Sequence, residues 1–124
     1  MTSDEARSIL NKGHTRGVFD ASYMIGYCGL QIETLQQTRH RAEIGPFYVT
    51  SAYQGCGAAR VLLDGVIREA RMRDVEQLEL YVDVGNTRAL AFYKRFGFER
   101  VSVHPDGFRI DGKPRDAYFC ILRI

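Results

Sequence analysis

The residues best suited to chemistry lie in one short stretch, Gln54-Gly55-Cys56-Gly57-Ala58-Ala59, in which four of six residues are Gly or Ala. It follows an apolar, strand-like run that ends at Thr50, and it leads into a helix-like run. The backbone is therefore almost bare where a strand passes into a helix. A helix N-terminus presents N–H groups without intrahelical acceptors and the positive end of the helix dipole. The stretch therefore predicts a phosphate or pyrophosphate site, although the same residues also fit a plain glycine-rich turn.

Two well-known phosphate-binding loops do not match this stretch. A P-loop places Lys followed by Ser or Thr at the start of the helix, whereas this helix starts Ala58-Ala59-Arg60-Val61. A dinucleotide-binding turn needs glycine at three fixed positions, and Arg60 occupies the third. Neither a nucleotide triphosphatase nor a dinucleotide-binding fold is indicated.

The two elements beside the stretch are predicted most clearly. The segment from Arg41 to Thr50 predicts a strand, and Pro46 inside it predicts a bulge or a break in regular pairing. The segment from Ala58 to Met72 predicts a helix, because its apolar residues recur at helical spacing on one broad face. That face consists of Leu62, Leu63, Val66, Ile67 and Ala70.

The remaining chain reads as short strands and helices. Further strands are predicted at Thr15 to Ala21, Met24 to Glu33, Leu78 to Val84, Phe98 to His104 and Ala117 to Ile124. The last two are expected to form a hairpin whose connection includes Pro105-Asp106-Gly107 and Asp111-Gly112-Lys113-Pro114.

Two other helices are predicted. One runs from Thr87 to Phe96 and ends at Gly97. A short helix from Ser3 to Lys12 is predicted at the N-terminus, because Ser3 can cap it and Asp4 favours a first turn. These elements together predict a single α/β domain over residues 1–124, with about six strands and two substantial helices.

Composition limits the partners that the chain can be expected to have. The 124 residues suffice for one domain with a core, and a net charge of +2 does not indicate nucleic acid or a membrane surface as the partner. No apolar run approaches the ~20 residues of a membrane span, and the polar start lacks a signal-peptide core. The three cysteines, Cys28, Cys56 and Cys120, lack metal-ligand or disulfide spacing. A cytoplasmic protein is expected.

Two motifs resemble those of one protein family. Gln54, Gly57 and Ala59 match the defined positions of the acyl-coenzyme A loop of the GNAT (N-acetyltransferase) superfamily, Gln/Arg-x-x-Gly-x-Gly/Ala. A second block, from Leu80 to Phe98, resembles the strand, Asn, Ala, Tyr and Gly-Phe signature of the same family nearly position for position. The resemblance implies a mixed sheet flanked by two main helices.

The resemblance departs from the family pattern at the front of the chain. The family usually begins with a strand and two helices before the strand placed here at Thr15, and the chain has room only for the predicted helix from Ser3 to Lys12. The usual first strand and first helix pair are therefore expected to be lacking. These elements normally form part of the wall of the acceptor pocket. Three explanations are open: the chain is a shortened member of the family, its first Met is internal, or a second subunit of a homodimer supplies the missing wall.

The resemblance implies acetyl-CoA as the acyl-donor substrate, and no metal. Backbone N–H groups from Gly55 to Ala59 would hold the pyrophosphate. The backbone of Phe47 to Val49 would pair with the pantetheine arm, and an N–H near Val49 would polarise the thioester carbonyl. The residues implied to bind the cofactor are Phe47, Tyr48, Val49, Gln54, Gly55, Cys56, Gly57, Ala58, Ala59, Asn86, Ala89, Phe92 and Tyr93.

The resemblance also implies catalytic roles. Tyr93 would be the general acid for the leaving thiolate, because phenols and thiols have similar pKa values; its other interpretation is packing beside Phe92. Glu43 would be the base, since the histone-acetylating branch of the family keeps a glutamate six residues before the position of Val49. Its other interpretation is a solvated carboxylate. Asn86 would bind pantetheine or cap a helix.

The sequence therefore predicts an acyl-CoA-dependent N-acyltransferase that moves acetyl from acetyl-CoA to a primary amine by direct attack. The alternative is a non-catalytic acyl-CoA-binding module with an incomplete acceptor site. The identity of the acceptor amine cannot be read from the sequence.

Overall fold

A computed structural model describes residues 6–11, 15–20, 23–49 and 57–124. The chain divides into two compact units, Met1–Glu76 and Gln77–Ile124. The single domain expected over residues 1–124 stays a prediction. No helix in the described ranges is both long and apolar enough to cross a membrane.

The first unit is an antiparallel meander covered by one helix. Its elements are β1 (Ala6–Asn11), β2 (Thr15–Asp20), β3 (Tyr23–Ile32), β4 (Arg41–Val49) and α1 (Ala58–Met72). Each strand pairs antiparallel with the next, and α1 contacts all four. The predicted apolar face of α1 is confirmed, because Leu62, Leu63 and Val66 are fully buried. This helix and the buried residues of β3 and β4 form the core of the unit.

The helix predicted from Ser3 to Lys12 is wrong, because Ala6–Asn11 forms β1 and pairs with β2 from Ala6 opposite Asp20 to Asn11 opposite Thr15. A helix of about ten residues has little stability by itself, whereas a strand gains a hydrogen-bonded partner. The expectation that a first strand is lacking is corrected by β1. Only residues 12–14 connect β1 to β2, so a helix pair has no room at this point of the chain.

The bulge predicted at Pro46 is confirmed. Cys28 lies opposite Phe47 and Gly29 lies opposite Gly45, so Pro46 has no partner in the β3–β4 register. Proline lacks an N–H and is therefore tolerated where the ladder is interrupted.

The second unit is a three-stranded antiparallel sheet with one helix. Its elements are β5 (Gln77–Asp83), α2 (Thr87–Phe96), β6 (Glu99–Ile110) and β7 (Lys113–Arg123). The middle strand is β7, which pairs with β5 on one side and β6 on the other. In β5, Leu78 and Leu80 are buried and Tyr81 is exposed, but Glu79 is only 5% exposed although it lies between two buried residues of the strand. Its carboxylate accepts a hydrogen bond of 2.7 Å from the Gln77 amide, which satisfies part of the requirement of a buried polar group.

The closing hairpin is longer than predicted. Pro105-Asp106-Gly107 was expected in the connection but lies inside β6, at a register shift between His104 and Phe108. The chain reverses at Asp111 and Gly112, whose φ angles are 52° and 75°, as a tight hairpin turn requires.

Candidate functional site

The segment Phe47–Val49 is the last part of β4, and the bulge at Pro46 decides which way its side chains face. Partners in an antiparallel pair share a face, so Phe47 with Cys28 and Val49 with Gly26 stand on the buried face. Val49 is 7% exposed. Tyr48 lies opposite Tyr27 on the other face, with ring centroids 5.7 Å apart, and is 49% exposed.

The start of α1 has the features of an anion site. Gly57 precedes the helix with φ 92° and ψ −2°, in the left-handed region, and its carbonyl accepts a hydrogen bond of 3.1 Å from the Val61 N–H. Gly57 offers no side-chain cap to the following N–H groups, and the first turn carries no acidic residue. Ala58 is buried, Ala59 is half-buried and Arg60 is exposed in the same turn. This local charge and geometry fit a phosphate.

Three of the predicted cofactor-binding residues, Gln54, Gly55 and Cys56, lie outside the described residues. The part of the predicted loop that can be placed is therefore Gly57, Ala58 and Ala59.

Asn86 caps α2. Its side-chain oxygen accepts a hydrogen bond of 3.2 Å from the Ala89 N–H, and its carbonyl accepts one of 3.0 Å from the Leu90 N–H. The N-cap interpretation is therefore present in the structure. The cap occupies the side-chain oxygen, so a further role in cofactor binding falls to the amide NH₂ group.

Tyr93 lies on the inward face of α2 and is 9% exposed. Its ring forms edge contacts with Phe92 and Phe98, at centroid distances of 5.4 and 5.5 Å. Phe92 also contacts Phe96 at 5.2 Å, and Ala89 and Phe92 are half-buried. The aromatic packing given as the other interpretation of Tyr93 is therefore present in the structure.

Glu43 lies on β4 opposite Gln31 and is half-buried. The register places it on the face of the β3–β4 pair that also carries Tyr27 and Tyr48. Ala42 and Ile44, on either side of it in sequence, point into the core.

An ion pair that no sequence motif indicates lies beside the turn into α2. Arg115 on β7 donates to both carboxylate oxygens of Asp83, each at 3.0 Å. The hydrogen bonds and charge of Arg115 hold the pKa of Asp83 below its ordinary value. The two residues are far apart in the chain and no local motif joins them, so only the β5–β7 register could have indicated the pair.

The two cysteines in the described ranges, Cys28 and Cys120, are core residues. Cys28 is fully buried and Cys120 is 3% exposed. Burial raises the pKa of the Cys28 thiol to about 12 and also raises the pKa of Cys120. Neither thiol is therefore suited to nucleophilic chemistry.

The chain belongs to the acetyltransferase (GNAT) family, whose family model matches residues 4–98. It is similar to the N-alpha-acetyltransferase RimI of Mycobacterium tuberculosis, with 36% identity over 106 residues, 85% of this chain and 63% of that protein. It also resembles a mycothiol acetyltransferase of Beutenbergia cavernae, with 41% identity over 66 residues, 51% of this chain and 22% of that protein. Both predicted motifs lie inside the matched region.

The structure is similar to that of a ribosomal-protein-alanine N-acetyltransferase from Brucella melitensis. The TM-score is 0.80 with 26% identity, over 89% of this chain and 68% of that one. The predicted GNAT-like α/β fold is confirmed. The chain spans less than two thirds of the length of the two curated relatives.

Proposed function

We propose that the chain binds acetyl-CoA and transfers its acetyl group to a primary amine. The observation that supports this most directly is the start of α1. In a GNAT family member, a left-handed Gly57 opens a helix whose first turn lacks acidic residues, soon after a bulged strand. That combination fits the pyrophosphate of coenzyme A better than a plain turn, which requires neither a bare helix N-terminus nor a bulge beside it.

The residues proposed to hold acetyl-CoA divide by the type of group they offer. Backbone N–H groups of Gly57, Ala58 and Ala59 contact the pyrophosphate, together with those of Gly55 and Cys56, which lie outside the described residues. Gln54, also outside them, is a further proposed binding residue. The backbone of Phe47–Val49 pairs with the pantetheine arm in the manner of an added strand. In the second unit, the groups proposed to contact acetyl-CoA are the amide NH₂ of Asn86 and the α2 residues Ala89, Phe92 and Tyr93.

The proposed chemistry is a direct transfer. The amine nitrogen forms a bond to the thioester carbonyl carbon, the carbon–sulfur bond breaks, and the electron pair of that bond leaves with sulfur. A β4 backbone N–H polarises the carbonyl oxygen as charge develops on it. Positioning of the amine and the thioester supplies much of the rate.

Two side chains are proposed to move protons. The Tyr93 hydroxyl donates to the departing thiolate, and the Glu43 carboxylate accepts the amine proton directly or through water. Replacement of Glu43 by Gln keeps the size and removes the base. We expect it to lower turnover most strongly at pH values where the acceptor amine is protonated; an unchanged pH profile would remove Glu43 from the mechanism.

Relatives suggest which amines to test first. One is named as an N-alpha-acetyltransferase and another as a ribosomal-protein-alanine N-acetyltransferase. The RimI match covers more of this chain than the mycothiol acetyltransferase match does. A free N-terminal α-amine of a peptide is therefore the proposed acceptor. The alternative function is a non-catalytic acyl-CoA-binding module. It is supported by the β1–β2 connection, because three residues are too few to contain a helix pair that could line an acceptor pocket.

A turnover assay separates the two functions. Purified protein and acetyl-CoA are mixed with an alanine-initiated peptide, the same peptide with a blocked N-terminus, a lysine with a blocked α-amine, a polyamine and deacetylated mycothiol. Released thiol is then measured. We expect release with the free peptide and background release with the blocked one. Acetyl-CoA binding by calorimetry without release above background on any amine would establish the binding module instead.

A further inference from the structure

Gly29 on β3 lies opposite Gly45 on β4, at the point where the register shifts. A Cβ atom on Gly29 would overlap the carbonyl oxygen of Gly45 and would lie 3.0 Å from its carbonyl carbon and 3.3 Å from Cδ of Pro46. The oxygen belongs to the backbone, so it cannot rotate away as a side chain would. The φ angle of Gly29 lies outside the left-handed region, so the need for glycine here is steric rather than conformational.

This close approach is a product of the bulge. In a regular antiparallel pair, side chains of opposed residues stand together on one face, and carbonyl groups lie in the plane of the ladder. At Gly45 the extra residue Pro46 turns the carbonyl toward the face on which a side chain of residue 29 would stand. The absence of a side chain at Gly29 on β3 therefore makes room for the bulge on β4.

The bulge in turn sets the facing of the segment that follows. Ile44 and Val49 are both buried although they are five residues apart, an odd step that alternation alone does not permit. Without the bulge, residues 47–49 would slip by one position, and every side chain would change face. Tyr48 would then point into the core and Val49 out of it.

We infer that Gly29 is a positioning residue, which keeps the Pro46 bulge in place and thereby fixes the register of Phe47–Val49. Its effect on acetyl-CoA rests on the proposed function, which assigns the backbone of this segment to the pantetheine arm. Its effect on register stands without that function.

The matched pair of variants is Gly29→Ala and Gly45→Ala. A Cβ on Gly45 meets nothing within 4 Å, so the second variant adds the same methyl group to the same ladder pair without a clash. We expect Gly29→Ala to raise the Kd for acetyl-CoA by about tenfold or more and Gly45→Ala to leave it within about twofold, as measured by calorimetry. Equal affinities of the two variants for acetyl-CoA would contradict the inferred effect of Gly29 on binding.

Register is read separately by thiol labelling. Tyr48→Cys or Val49→Cys is combined with Gly29 or with Gly29→Ala, and maleimide labels are located by peptide mass mapping, which separates them from the native cysteines. We expect position 48 to label and position 49 to be protected with Gly29, and the reverse with Gly29→Ala. An unchanged pattern in folded Gly29→Ala protein would overturn the inference. Failure of the parent protein to bind acetyl-CoA would overturn only the proposed function.

A deletion covers the case in which Gly29→Ala does not fold. Removal of Pro46 removes the extra residue, so an alanine at position 29 should meet a regular ladder. We expect Gly29→Ala to lower the Tm by about 2 °C or less in the deletion protein and by considerably more in the parent. An equal loss in both would show that the bulge is not the reason for glycine at position 29.

Discussion

Arg115 and Asp83 form a bidentate ion pair, in which both guanidinium–carboxylate hydrogen bonds are 3.0 Å long. A Cβ on Gly85 would overlap the Arg115 guanidinium, so the turn after β5 passes directly over it. The Val84 N–H donates to the Asp116 carbonyl at 3.1 Å, and the Asn86 N–H donates to the Asp83 carbonyl at 2.9 Å. Strand β7 therefore fixes the turn that leads into α2, the helix that Asn86 caps and that carries Tyr93.

Replacement of Arg115 by Gln tests this support and its pH dependence. The folded-state pKa of Asp83 is lowered, so the stabilisation from the pair is complete above the unfolded-state pKa of ~3.9 and is lost as the pH falls through the folded-state value. We expect a Tm about 2–4 °C below the parent at pH 7. The difference should shrink as the pH falls below about 4. Thermal unfolding across this pH range measures it.

The matched control is Arg109→Gln. Arg109 donates to both carboxylate oxygens of Asp106, at 2.6 and 3.2 Å, but this pair lies within β6 and is more exposed than the Arg115–Asp83 pair. We expect the control to leave the KM for acetyl-CoA unchanged, whereas Arg115→Gln raises it by a fewfold. Equal effects of the two variants on KM would contradict a supporting role for Arg115.

The two proposed roles of the Asn86 side chain, helix capping by its oxygen and donation by its amide NH₂, can be tested separately. Asn86→Ala removes the acceptor for the Ala89 N–H and should cost about 1 kcal/mol of unfolding free energy. Asn86→Ser restores a capping oxygen but not the NH₂ group. We expect Ser to recover the stability seen by denaturant unfolding, while the KM for acetyl-CoA stays raised as in Asn86→Ala. Recovery of KM with Ser would show that Asn86 acts only as a helix cap.

Features specified by nearby residues were predicted well. The bounds of α1 and α2 match the predictions, since helical periodicity and the stop at Gly97 act within a few residues. The bulge at Pro46 followed from the missing N–H of one residue. These signals do not require knowledge of the partner strand.

Features that depend on strand register were missed. Ser3 and Asp4 suggested a helix start, but pairing with β2 made Ala6–Asn11 a strand. The overlap between a Gly29 side chain and the Gly45 carbonyl follows only from the β3–β4 register. The buried position of Glu79 breaks the alternation that its strand otherwise shows, and nothing near it in sequence indicates this.

Tyr93→Phe tests the proposed general acid. The substitution removes one oxygen and keeps the ring that packs against Phe92 and Phe98, so the fold should persist. We expect kcat to fall by about 10²- to 10⁴-fold, with the Kd for acetyl-CoA unchanged. Tyr118→Phe is the control, because it removes a phenol hydroxyl on β7, where the ring packs 4.7 Å from the Arg100 guanidinium carbon. An unchanged kcat in Tyr93→Phe would leave Tyr93 with a packing role alone.

A comparison of Gly57 with Gly112 separates the effect of a substitution on the proposed anion site from its effect on backbone strain. Both have left-handed φ angles, 92° and 75°, and a Cβ on either meets nothing within 4 Å. Glutamate at either position should therefore cost a similar strain energy of about 1–2 kcal/mol. Only at Gly57 does it also place a negative charge at the N-terminus of α1, where the pyrophosphate is proposed to bind. We expect Gly57→Glu to abolish acetyl-CoA binding in calorimetry and Gly112→Glu to preserve it. If Gly57→Glu still binds acetyl-CoA, the proposed pyrophosphate site is wrong and the glycine-rich stretch is only a turn.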